Sequence, residues 1–174
     1  MRRGVKLLLV VAGLFLLACS GSRKALVQEN PPVMVNGEPM ILGPTSYDNI
    51  VQHFPRWQVA DRRAVPDSAD VARLKAIRTD YEIYCFLGTW CSDSRAGVPP
   101  FVHALKQAAN PHLRFHLIGV DRKKHDPQQL AARYQVKRVP TFVILKNGQE
   151  VGRMVEFPRT TFVRDFLIMV QKNR

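Results

Sequence analysis

The sequence predicts an α/β domain with a central mixed β-sheet flanked by helices, preceded by a helical N-terminal extension. Three observations carry this expectation. From residue 80 to the C-terminus, short apolar, β-rich runs alternate with amphipathic stretches. The last two runs are joined by Asn147-Gly148, a dipeptide that tolerates the positive φ angles of a two-residue hairpin. Between residues 45 and 79, ahead of the first run, two segments space their apolar residues as helices do.

The first twenty residues read as an export signal. MRRGVKLLLVVAGLFLLACS opens with Arg2, Arg3 and Lys6 and continues with an apolar run from Leu7 to Ala18. That run is shorter than the ~20 residues a permanent membrane span needs, so residues 1–18 are expected to be a signal peptide. Leu16-Leu17-Ala18-Cys19 resembles the lipobox of bacterial lipoproteins. The resemblance implies that Cys19 is lipidated and becomes the first mature residue. With Ser20 and not an acid after it, the resemblance implies an outer-membrane anchor and a domain facing the periplasm. The alternative is an ordinary signal peptide or uncleaved anchor that happens to contain a cysteine.

The formal charge is +12, and residues 1–18 contribute three positive and no negative charges, which leaves +9 on the remainder. A basic surface suits anionic lipid or acidic partners. Nucleic acid is not an expected partner, because no Lys/Arg-rich helix interleaved with aromatics accompanies the export signal. Three cysteines are too few for a disulfide framework, and the chain is long enough to bury a core without one.

Residues 19–44 are rich in Pro, Gly and polar residues and are expected to be a lipidated tether. Residues 45–79 form the helical extension. Thr45 or Ser46 caps a short helix with Tyr47, Ile50, Val51 and Phe54 as its apolar positions. A loop containing Pro55 and Pro66 follows, and Asp67 or Ser68 caps a second helix that places Val71, Leu74 and Ile77 on one face. Strands are then expected at 82–88, 113–120, 141–146 and 150–157. Helices are expected at 94–109, 127–134 and from Thr160 or Thr161 to about residue 171. Strands separated by helices imply parallel pairing, and the final hairpin adds an antiparallel edge.

This β-α-β-α-β-β-α order, with Trp90-Cys91 between the first strand and its helix, resembles the thioredoxin fold over about residues 80–172. Three further positions match. Pro99 lies eight residues after Cys91, Val139-Pro140-Thr141 precedes the third strand, and Asn147-Gly148 sits at the hairpin. The stretch GTWCSDSR is also similar to an exported lipoprotein branch with a W-C-x-D-[CS] active site. The resemblance implies that Cys91 is a nucleophile and that Trp90 is a substrate-facing platform. It also implies that Pro140 is cis, exposing the Val139 backbone to an extended substrate. No organic cofactor is implied.

The chemistry of the residues is consistent with this. A cysteine at a helix N-terminus meets unpaired backbone N–H groups and the positive end of the helix dipole, both of which favour thiolate over thiol. Ser94 stands where a second cysteine would complete C-x-x-C. Its hydroxyl is expected to hydrogen-bond the thiolate but cannot resolve a mixed disulfide. Release then depends on another substrate thiol, a small thiol, or a partner protein. Cys85, six residues before Cys91, stands where many thioredoxins carry a buried acid. It is either a small core residue or a candidate second thiol. The expected function is therefore thiol–disulfide oxidoreductase or isomerase chemistry of the cell envelope through the single nucleophile Cys91. The expected partners are envelope proteins with thiols or disulfides, or a small thiol, with the membrane engaged through the N-terminal lipid. The alternative is a non-catalytic thioredoxin-fold binding or scaffold lipoprotein. No metal site is expected: His112 and His116 could share a strand face but have no third ligand.

Overall fold

The computed structural model describes residues 30–173. The expected signal peptide, Cys19 and the tether as far as residue 29 lie outside the described residues. In chain order the elements are β1 (Val33–Val35), β2 (Glu38–Met40), β3 (Gly43–Thr45), α1 (Tyr47–His53), α2 (Pro55–Arg63), α3 (Ser68–Lys75) and β4 (Tyr81–Leu87). They continue with α4 (Ser92–Ala108), β5 (Leu113–Gly119), α5 (Leu130–Arg133), β6 (Thr141–Lys146), β7 (Gln149–Val155) and α6 (Phe162–Lys172).

Five strands form one mixed sheet in the order β3-β5-β4-β6-β7, with β4 and β5 parallel and the other pairs antiparallel. The expected parallel pairing of β6 is corrected here. Phe86, at the end of β4, stands opposite Thr141 at the start of β6, so the two strands run in opposite directions. The cause is the connection. A parallel crossover needs a helix long enough to carry the chain back along the sheet, whereas α5 has four residues, a rise of about 6 Å. The chain therefore re-enters the sheet at the end where β5 left it.

The tether is corrected in its second half. Residues 33–40 form a hairpin about Asn36-Gly37, both at positive φ, and β3 adds an edge strand to the sheet beside β5. Pro39 and Pro44 are compatible with these short peripheral strands, where a missing N–H need not break a ladder. The loop expected after residue 54 is also corrected. Pro55 opens α2 as its first residue, where the absent amide costs nothing. The caps of α1 and α3 are Ser46, which accepts from the Asn49 amide, and Asp67, which accepts from Ala69 and Asp70. Thr161 caps α6 in the same way.

Strand alternation divides the core. Ile83, Cys85 and Leu87 of β4 join the larger cluster with Val98, Phe101, Phe142 and Phe166, between the sheet and the helices α4 and α6. Phe86 turns to the other face, with Ile118, Val120, Ala131, Val139 and Cys91. The extension packs on the larger cluster through Ile50, Trp57 and Leu74, each fully buried. It is further tied to α4 by Asp61, which accepts from Tyr47 Oη at 2.9 Å and pairs with His103 Nε2 at 2.6 Å. Among the described residues, no helix is long and apolar enough to cross a membrane.

Candidate active site

Cys91 is the N-cap residue of α4, with φ −85° and ψ 129°, and no side chain caps that helix end. The first-turn amides are therefore left without a side-chain acceptor, the Cys91 sulfur included. The turn that delivers Cys91 is closed by its own amide, which donates to Gly88 O at 2.9 Å, and Arg95 N donates back to Cys91 O at 3.1 Å. Cys91 is 8% exposed.

Antiparallel pairing of β4 with β6 brings the loop before β6 alongside the loop after β4. Val139-Pro140 is cis, and Cys91 Sγ donates to Val139 O at 3.5 Å. Cys91, Val139 and Pro140 are therefore one constellation, although 48 residues separate the sulfur from its acceptor.

Ser94 occupies a different place from the one expected. It is fully buried, and its Oγ accepts from the Gly88 amide at 3.3 Å. Among the described residues no hydrogen bond joins Ser94 to Cys91. Gly88 lies just past the end of β4, where the sheet ladder stops, and the serine supplies the acceptor its amide needs. Ser94 thus holds the loop through Gly88 and makes no hydrogen bond to the sulfur.

Cys85 and Cys91 are both free and buried, but they lie in the two separate core clusters. Complete burial pushes the Cys85 thiol well above its ordinary range, so it is held as a neutral core group. The structure does not bring the two sulfurs together.

Trp90 is fixed from two sides. Its Nε1 donates to Val120 O at 3.0 Å, and the Arg122 guanidinium lies 4.8 Å from its ring centre. Gly88 makes room for the ring: a Cβ there would stand 2.5 Å from Trp90 Cε2. Arg122 is held by a bidentate pair with Glu38 of β2, at 2.7 and 2.9 Å. Its pKa is raised first by the hydrogen bond with Glu38 and to a lesser degree by the nearby Cys91. The basic loop at 122–125 thus has an intramolecular acid, supplied by a segment expected to be a tether.

Trp57 is the residue of this site that sequence reasoning missed. It is fully buried in α2, and its Nε1 donates to Thr89 O at 2.9 Å. Pro55 as a helix-opening residue, with a large aromatic two residues on, was the available signal. Thr89 itself is 3% exposed, and its Oγ1 has no hydrogen-bond partner among the described residues.

The histidines serve elsewhere. His103 pairs with Asp61, His112 with Asp80 at 2.7 Å, and His116 stacks on Tyr84 with ring centres 4.6 Å apart. Among the described residues no group of three or more metal-ligating side chains converges.

Comparison with known proteins agrees with this geometry. A thioredoxin family model matches residues 46–170, well over half of the chain and including the helical extension. An H-type thioredoxin of Fagopyrum esculentum is 40% identical over 70 residues, which are 40% of this chain and 55% of that protein. A thioredoxin of Oryctolagus cuniculus is 34% identical over 95 residues, covering 55% of this chain and 80% of that protein. The match thus spans about half the length of the first relative and four fifths of the second. A solved protein of unknown function from Pseudomonas aeruginosa shares the fold at a TM-score of 0.59 and 18% identity, covering 74% of this chain and 92% of its own. With a thioredoxin family model over residues 46–170, and Cys91 at a helix N-terminus beside a cis-proline loop, this chain belongs to the thioredoxin family.

Proposed function

We propose that this protein is a thiol–disulfide oxidoreductase or isomerase of the cell envelope that works through mixed disulfides on the single nucleophile Cys91. The observation that supports it most directly is the position of Cys91 Sγ: at the uncapped N-terminus of α4 and 3.5 Å from Val139 O of the cis-proline loop. The Cys91 sulfur is the group that attacks a disulfide, and the Val139 backbone beside it offers an edge with which an extended substrate pairs. The attack forms a Cys91–substrate disulfide and expels the other substrate sulfur as thiolate. Ser94 has no sulfur with which to resolve it, and Cys85 lies in the other core cluster, so the resolving thiol comes from outside the described residues. The export signal and Cys19 support a lipid anchor, with the domain held at the outer membrane and facing the periplasm.

The test is disulfide exchange by the full-length protein in detergent, against a model protein with scrambled disulfides, with Cys91→Ala as control. Mixed disulfides on Cys91 that accumulate and then resolve on adding a small thiol support the proposal; equal behaviour of Cys91→Ala and wild type defeats it. One observation favours the alternative of a non-catalytic binding module: Cys91 is nearly buried and its thiol is engaged by a carbonyl. An iodoacetamide rate no faster than that of an unfolded control peptide would support that alternative.

A further inference from the structure

The reading of Cys91 as a single nucleophile leaves its resolving thiol unassigned, and the inference that follows rests on that reading. Beside the active-site loop lies a groove of about 510 Å³. Trp90 walls it, Trp57 and Thr89 lie at its floor, and Arg56, Arg95 and Arg122 line it. Arg122 is already neutralised by Glu38. Arg56 and Arg95 have no ion pair among the described residues.

Both unpaired arginines stand where helices disfavour cations. Arg56 is the second residue of α2, and Arg95 is the fourth residue of α4. The positive ends of two helix dipoles and two guanidiniums therefore converge on one groove, an arrangement that costs stability unless an anion enters. Asp93, in the first turn of α4, offsets that helix end in part, but it lines a separate groove with Phe157 and Phe162. The second observation is independent of charge. The Thr89 hydroxyl is buried without a partner, which is unfavourable in the free protein and is relieved by a polar ligand atom.

We infer that this groove binds a low-molecular-weight thiol carrying carboxylates, which resolves the mixed disulfide on Cys91. Arg56 and Arg95 take its carboxylates, as guanidiniums do through paired N–H donors. The bound thiolate attacks Cys91 Sγ, the bond from Cys91 to the substrate breaks, and the substrate's second sulfur leaves as thiolate. A second molecule of the same thiol then attacks the small-thiol sulfur of the new mixed disulfide and displaces the Cys91 thiolate. In sum, one substrate disulfide is reduced to two thiols, two small thiols are oxidised to one disulfide, and their two protons pass to the substrate sulfurs.

The test uses the full-length protein in detergent and measures the rate of mixed-disulfide formation on Cys91 by mass spectrometry. The two probes are glutathione disulfide, which carries carboxylates, and the neutral hydroxyethyl disulfide. The readout is the ratio of the two rates, which cancels changes in the sulfur itself. Arg56→Gln and Arg95→Gln are each expected to lower the ratio roughly 3- to 10-fold, and 0.5 M salt about as much. Thr89→Val is expected to lower the ratio without lowering the unfolding midpoint, since the lost hydroxyl had no partner. A reactive Cys91 with an unchanged ratio in both arginine variants overturns this inference alone. A Cys91 inert to both disulfides overturns the single-nucleophile reading, and this inference with it.

Discussion

Trp57 Nε1 donates to Thr89 O across 2.9 Å, which ties the second helix of the extension to the loop two residues before Cys91. The helices at 47–75 are therefore part of the active-site scaffold and not merely a cover for the sheet. Trp57→Phe keeps most of the packing but leaves the Thr89 carbonyl buried without its donor. The expected cost is about 1–3 kcal/mol of stability, read by urea unfolding, with an altered iodoacetamide rate at Cys91 in the folded protein. A variant with wild-type stability and wild-type alkylation would show that the contact holds nothing.

Gly88 is small because the Trp90 ring passes over it. Gly88→Ala would set a Cβ at 2.5 Å from Trp90 Cε2, so the ring must move. The expected result is a change in tryptophan emission, from loss of the Trp90–Val120 hydrogen bond, and a destabilisation of about 1–3 kcal/mol. Unchanged emission and stability would contradict the close approach.

Ser94 separates two roles by two substitutions. Ser94→Ala removes the acceptor of the Gly88 amide and is expected to cost about 1–3 kcal/mol in unfolding free energy. Ser94→Cys supplies a resolving sulfur in the C-x-x-C spacing. It is expected to reduce the steady amount of trapped Cys91 mixed disulfide by about tenfold or more, measured on non-reducing gels. If Ser94→Cys accumulates as much adduct as wild type, the missing sulfur is not what limits resolution.

Cys85 is expected to be silent in the native state. Burial pushes its thiol well above the ordinary range, so neither thiolate nor access is available to an alkylating reagent. Mass mapping after brief iodoacetamide treatment should label Cys91 and not Cys85, with Cys85 appearing only in urea. Cys85→Ala should leave the rate of Cys91 exchange unchanged. A slower exchange in that variant would revive Cys85 as a second thiol.

The Tyr47–Asp61–His103 cluster makes the packing of α1 and α2 on α4 acid-sensitive. Burial raises the Asp61 pKa, but hydrogen bonds from His103 and Tyr47 and the charges of His103 and Lys106 outweigh it, so the net shift is downward from 3.8. A lowered folded pKa means that the stabilisation is complete above 3.8 and is lost as pH falls through the lower folded value. Asp61→Asn should therefore lower the urea midpoint at neutral pH, and the difference from wild type should shrink as pH falls below 3.8. A difference that stays constant with pH would remove the charge from the account.

The sequence was readable where local chemistry and tertiary packing agreed. Ser46, Asp67 and Thr161 cap the helices they were expected to cap, and β6 runs from Thr141 to Lys146 as its apolar run implies. It is not legible where composition hides a local signal. Asn36-Gly37 is the same hairpin dipeptide as Asn147-Gly148, and both adopt positive φ. The prolines and polar residues around the first masked it. The helix of Trp57 is hidden in the sequence by the prolines near its two ends, although Pro55 opens that helix without breaking it.

The sequence by itself determined the α/β order, the place of Cys91 at a helix start and the absence of a sulfur at position 94, because periodicity, caps and residue identity are local. Only the tertiary structure decided what surrounds that sulfur. It reversed β6 because a four-residue helix cannot return the chain along the sheet. It turned Ser94 to Gly88, set Cys85 and Cys91 in separate clusters, and placed Glu38 and Trp57 beside the active-site loop. Each of these depends on which atoms meet across tens of residues, and no spacing along the chain encodes that.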